Sequence, residues 1–295
     1  MIILTIEAMR SIYSFLTVIA ALLLISFSTQ TASAQLSGTY TIDPSQPTGG
    51  TNFKYFGDAL TALNTIGVND TTVFNIASGV YDTLLTFSSA IPGMGATAPI
   101  TFQSATGNAA DVVLKHTAVS SSDNYVIDIN GAKFISFKNM SLQSNGGTYA
   151  NCIVLRNSCG NILIEGLLLQ GPTTTLVSAD IALINNLTST LDSNIVIRDN
   201  EFRNGSYGVY MYGISFTSLE NNNVIEGNTF VNYYCVAIET RYQRNLLVCN
   251  NNMTTSTSNS NTAGMYLRNT NYSRIIKKPG LFPTKLWNLS LSMHW

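Results

Sequence analysis

Charge is scarce in this chain. Of its 295 residues, 15 are Lys or Arg and 16 are Asp or Glu, for a formal net charge of -1. Binding to nucleic acid calls for a clustered basic face that neutralises phosphates, so that class is set aside. Histidine is rarer still. His116 lies early and His294 at the far end, which leaves a His-assisted active site in the central region without its His. An unbroken apolar run of the ~20 residues needed to cross a bilayer is also lacking. The longest candidate, Ile12 to Phe27, is shorter and carries polar interruptions. Cysteine is limited to Cys152, Cys159, Cys235 and Cys249. Only Cys152 and Cys159 are spaced for a bond, and packed thiols are the favoured reading.

The first 34 residues have the tripartite build of a secretory signal: Arg10, the apolar run, then Ala32-Ser33-Ala34 before Gln35. Cleavage is expected after Ala34. Met9-Arg10 makes a more usual signal start than Met1, whose extension carries Glu7. No Cys follows the cleavage site, which argues against a lipid anchor. The expectation is a secreted or outer-surface protein that reaches its place through the periplasm, with no membrane span after cleavage.

What the chain has in abundance is Asn, Ser, Thr and Gly, set on a period. An alternating segment recurs as Ile127-Asp128-Ile129, Ile153-Val154-Leu155, Ile181-Ala182-Leu183, Val209-Tyr210-Met211, Val236-Ala237-Ile238 and Met265-Tyr266-Leu267, at steps of 26, 28, 28, 27 and 29 residues. Two apolar residues flank one that points the other way, the mark of a strand with one buried face. A second strand comes after it, as in Ile135-Ser136-Phe137, Ile162-Leu163-Ile164 and Ile195-Val196-Ile197. Next comes a turn with Asn139, Gly166, Asn200, Asn228 or Asn251, and a third apolar position at Leu142, Leu169, Phe202, Phe230 or Met253. Three short strands per coil of about 28 residues predict a triangular solenoid of three parallel sheets, an all-β parallel β-helix. A leucine-rich repeat shares the period but needs a helix where this chain reads Ile-x-Ile-x-x-Asn-x-x-Phe. Leu155, Leu183 and Met211 are expected in one interior column.

Residues 53 to 65, with Phe56, Ala59, Leu60 and Leu63 at helical spacing, predict a short amphipathic helix that caps the first coil. The expected organisation is 1–34 signal peptide, 35–272 β-helix with 35–70 as its capping segment, and 273–295 a non-repeat tail. The closing stretch from Tyr272, "YSRIIKKPGLFPTKLWNLSLSMHW", holds both Trp residues and breaks the composition, as a truncated or frameshifted end would.

The order of capping helix, "VFNIASGVYDTLLTF", "PITFQSATGNAADVVLK" and repeated Ile-x-Ile-x-x-Asn-x-x-Phe coils resembles the pectate-lyase-like superfamily of right-handed, single-stranded parallel β-helices. Within it, the chain is most similar to large secreted surface proteins of bacteria that use the type IX export pathway. The resemblance spans roughly residues 36 to 272 and speaks for fold far more than for activity.

Members of that superfamily that cleave polyuronides need clustered carboxylates around calcium with a basic partner, or two to three acids about the scissile bond. Neither is recognisable here. No Ser-His-Asp arrangement, metal-ligand spacing or phosphate loop is present either, so no catalytic residue, metal or cofactor is assigned. The outer face of the first strand offers more. Its middle positions read Asp128, Val154, Ala182, Tyr210, Ala237, Tyr266, and its next column reads Asn130, Arg156, Ile184, Tyr212, Glu239, Arg268. Aromatic rings on a flat sheet stack against sugars while acids and Arg bond hydroxyls. Tyr210, Tyr212, Glu239, Tyr266 and Arg268 are therefore the candidate ligand-binding residues. The expected function is a non-catalytic glycan-binding or adhesin-like surface protein, monomeric, with a polysaccharide or cell-surface glycan as partner. The alternative is a polysaccharide lyase or glycoside hydrolase whose catalytic coils lie outside this chain.

Overall fold

In the computed structural model the described residues are 34–276, apart from 187–189, 258–259 and 261. The predicted signal and most of the predicted tail lie outside them. The chain divides into two units, and the described residues from Gln35 on belong to the larger.

The larger unit is a right-handed parallel β-helix. A full coil carries three strands, and each pairs in parallel with its copy one coil away. On the first face these are Leu85–Ser88, Ile127–Asn130, Ile153–Arg156, Ala182–Asn186, Tyr207–Tyr212, Val236–Arg244 and Ala263–Asn271. The second face runs from Leu36–Ile42 through Val68–Ile76, Ile100–Ser104, Lys133–Lys138, Gly160–Glu165, Ser193–Arg198, Val224–Glu226 and Leu247–Cys249 to Arg274–Ile276. The third runs from Gly79–Asp82 to Asn252–Thr254 as a seven-stranded sheet. Three faces make two hydrogen-bonded sheets, because the first two join into one of 18 strands: Val236–Arg244 and Ala263–Asn271 bend round the corner unbroken.

Inward residues form ladders no single coil could bury. Phe74 stacks on Phe102 at 4.6 Å, and Phe102 on Phe137 at 6.0 Å, before Ile164, Ile197 and Ile225 continue the column. On the third face Leu142, Leu169, Phe202, Phe230 and Met253 fall in one register, with the two Phe rings 4.4 Å apart. Stacking of this kind supplies both area burial and ring contact. The helix is Phe56–Thr65, and Phe56, Ala59 and Leu63 join the same core.

Corners are made by left-handed residues. Between the second and third faces these are Asn139, Gly166, Asp199, Gly227 and Asn250. Glycine alternates for a reason: a Cβ on Gly166 would lie 2.4 Å from the Asn139 Oδ1, and one on Gly227 2.4 Å from that of Asp199. The next residues, Asn200, Asn228 and Asn251, turn inward and stack. The Asn200 amide donates to Asn228 at 3.0 Å and the Asn228 amide to Asn251 at 2.9 Å.

Two parts of the sequence register need correction. Ile153 pairs with Ile184, not Ile181, and Val209 pairs with Ile238, not Val236. Ile181 instead closes a short turn, Ala179–Ile181, capped by the Ser178 hydroxyl. Leu155 consequently faces Asn186, and Leu183, fully buried, lies three positions earlier in the coil, level with Cys152. The apparent Ile-x-Leu and Val-x-Ile segments mislead because the true interior positions are polar: Asn186 and Thr240 occupy the column of Leu155 and Leu267. Strand pairing also continues past residue 272, through Arg274–Ile276 on Leu247–Cys249.

Candidate functional site

The corrected register regroups the outer face. Tyr210, Glu239 and Tyr266 form one outward column on successive coils, and Tyr212, Arg241 and Arg268 the next. Glu239 therefore sits between two tyrosines rather than beside Arg268. Ala182 and Ala237 do not belong to the middle column at all, and Asn185 stands there next to Tyr210. Ile184 is not in the outer column either: it is an interior partner of Val209.

The tyrosines form a continuous aromatic surface. Tyr207 meets Tyr210 edge-on at 5.0 Å, and Tyr210 stacks on Tyr212 at 4.3 Å. The Tyr212 hydroxyl donates to the Glu239 carboxylate. Arg241 lies over the Tyr212 ring at 4.5 Å and Arg268 over the Tyr266 ring at 4.1 Å. Such contacts orient guanidinium groups along the sheet and leave their N–H donors directed sideways.

Beside this surface is a pocket of about 310 Å³. Glu239, Tyr266 and Arg268 line it together with Tyr207, and Val177 and Thr262 border it from neighbouring loops. Tyr210 and Tyr212 are not in its wall. The five residues named from the sequence thus divide, three in the pocket and two on the adjoining coil, with the Tyr212–Glu239 hydrogen bond joining the groups. Burial first, then the bond to Glu239, pushes the Tyr212 phenol far above its ordinary value. Burial likewise raises Tyr207 and Tyr210. These phenols stay protonated, and that of Tyr212 serves as a neutral donor.

Two members of the face, Tyr207 and Arg241, do not emerge from the sequence pattern. Tyr207 precedes the alternating triplet that sets the alignment, and the two-residue slip at Ile238 hides Arg241. Along the same face, Arg156 grips Asp128 with two bonds of 2.6 and 2.5 Å. That carboxylate is thereby engaged. The four cysteines are buried and none is in a disulfide; burial pushes Cys152 and Cys159 up to about 12. Among the described residues no group of three or more His, Cys, Asp or Glu is placed to hold a metal, and no helix is long and apolar enough to cross a membrane.

No known protein family matches the chain, and no curated protein does. Solved structures with a similar course include the pectin methylesterase from Aspergillus niger, 14% identical over 88% of each chain, with a TM-score of 0.49. Pectin methylesterase PemA from Erwinia chrysanthemi is 11% identical over 83% of this chain and 82% of its own, with a TM-score of 0.41. A pectin methylesterase in complex with a hexasaccharide is 12% identical over 81% and 82%, at 0.40. Likeness at this level assigns no activity or ligand.

Proposed function

We propose that the chain is an exported, surface-associated β-helix protein that binds a glycan along the outer first face. The observation that carries this reading is the join between ring surface and pocket. Tyr210 and Tyr212 offer a flat stacked platform, and Tyr266, Glu239 and Arg268 supply a ring, an acceptor and a donor within the adjoining cavity. Sugar rings bind through such pairings of an apolar face with directed polar groups. The long flat sheet suits an extended chain that lies across successive coils. The type IX route, cleavage after Ala34 and the capping role of residues 35–70 belong to the same proposal.

Screening the protein against plant and algal polysaccharides by calorimetry, with product analysis alongside, tests it. Saturable binding without release of shorter chains or of ester groups supports the binding role. Turnover would instead favour a carbohydrate-active enzyme, and inertness toward the whole panel would count against the glycan reading.

A further inference from the structure

Directly beneath the tyrosine platform, the interior of the solenoid holds a buried polar cluster where apolar side chains are the rule. Asp192, Glu220 and Gln243 are fully buried, and Asn186 and Asn223 nearly so. Glu220 accepts from the Asn186 amide through one oxygen, and from Asn223 at 3.2 Å and Gln243 at 2.6 Å through the other. Asp192 accepts from the Cys159 amide at 2.7 Å, from Thr190 at 3.2 Å and from Asn186 at 3.3 Å.

The partners of Glu220 reach the outer face through the backbone. Asn186 Oδ1 accepts from the Tyr212 N–H at 2.6 Å, and its amide donates to the Tyr212 carbonyl at 3.3 Å. Gln243 Nε2 donates to the Arg241 carbonyl at 3.2 Å. Tyr212 and Arg241 are the two residues whose side chains stack outside. A single carboxyl thus holds both amides that anchor this pair.

We propose that Glu220 is a positioning residue for the outer face, fixing through Asn186 and Gln243 the main chain from which Tyr212 and Arg241 project. Its functional meaning rests on the glycan reading, whereas its test reads tyrosine geometry with no glycan present. The geometry also makes the position proton-sensitive. Asp192 faces Glu220 and Cys159 lies beyond it, and no Lys or Arg forms an ion pair with either carboxyl among the described residues. Glu239 and Arg241 lie on the far, outer side of the strands. Burial first, and the neighbouring carboxyl second, raise Glu220 well above its ordinary value, so the cluster holds a proton at mildly acidic pH. Losing it would place a second negative charge in the interior and draw the Asn186 and Gln243 amides more tightly onto the carboxylate, which changes how the two anchors hold the main chain.

The experiment is NMR of the exported chain carrying ring-13C tyrosine, with Tyr212 assigned from Tyr212→Phe and followed from pH 4 upward. Glu239→Gln removes the titrating group that touches the ring. In that variant the Tyr212 signal is expected still to shift with pH above the ordinary glutamate range. In Glu220→Gln, which keeps shape and one carbonyl while the Gln243 amide turns over to meet it, the shift is expected to vanish and the signal to stay at its acidic position. A Tyr212 signal in Glu239→Gln that is flat with pH while the fold persists would overturn the proposal, even if Glu220→Gln failed to fold. So would a shift unchanged in Glu220→Gln.

Discussion

The Tyr212 hydroxyl donates to the Glu239 carboxylate across one coil and one column of the outer sheet. That diagonal links the ring platform to the pocket, and its Tyr212 end is covered from outside by the stacked Arg241. The phenol is a neutral donor there, because burial and the carboxylate both oppose its ionisation.

Spectrophotometric titration of the tyrosines should register this. Tyr233 is pushed up to about 12 by burial, and Tyr207 and Tyr212 lie higher still. These phenols should ionise only together with unfolding, in a step that coincides with loss of circular dichroism. A smooth ionisation of all tyrosines near pH 10 would show the platform to be solvated.

Stability should depend on pH through Glu220 and Asp192. Both bind their protons more tightly folded than unfolded. Their contribution is complete below the ordinary carboxyl values and is lost as pH rises through the raised folded ones. Asp43 and Asp123 act oppositely, lowered by hydrogen bonds from Ser45 and Ser120, and trim stability at the acid end. Melting temperature should therefore peak in mild acid and decline toward alkaline pH, and Glu220→Gln should flatten that decline. An unaltered slope in the variant would place the pH dependence elsewhere.

The interior ladders set the cost of core changes. Phe202→Ala removes a ring stacked on Phe230 and should cost ~3–5 kcal/mol in urea unfolding. Leu183→Asp buries a lone charge beside Gly171 and Gly205 and should cost several kcal/mol, of order a typical severe mutant. A wild-type melting curve for either would mean that these side chains are not interior.

The asparagine ladder is the polar counterpart. Asn228→Ala strips Asn251 and the Ile197 carbonyl of a donor and Asn200 of an acceptor. Each buried group left unsatisfied costs ~1–3 kcal/mol. Thermal unfolding checks it, and a change under ~0.5 kcal/mol would show that water replaces the amide.

The coil period, the Asn corners and the third-face column of Leu142 to Met253 were legible because apolar residues there keep phase. The first face was less so. Its interior includes Asn186 and Thr240, and a pattern search prefers the neighbouring apolar residues Leu183 and Ile238, slipping by three and by two. The slip displaced Glu239 by a column and concealed Arg241, while Tyr210, Tyr212 and Tyr266 kept their places because their own coils stayed in register. Asp192 and Glu220 stand one coil period apart and hold the same place at the entry to the second face on successive coils, next to the pair Ser193 and Asn221. Their spacing therefore agrees with a contact, but the apolar pattern used to find the coils passes over two acids that turn inward.

The most direct test of the glycan face is calorimetry of the wild type and of the triple variant Tyr210→Ala, Tyr212→Ala, Tyr266→Ala against a polysaccharide found in the screen, with melting curves recorded alongside. Stacking contributes ~1 kcal/mol per ring, so single substitutions should weaken binding several-fold and the triple one by roughly a hundredfold at near-unchanged melting. Equal affinity at equal stability would contradict the assignment of this face.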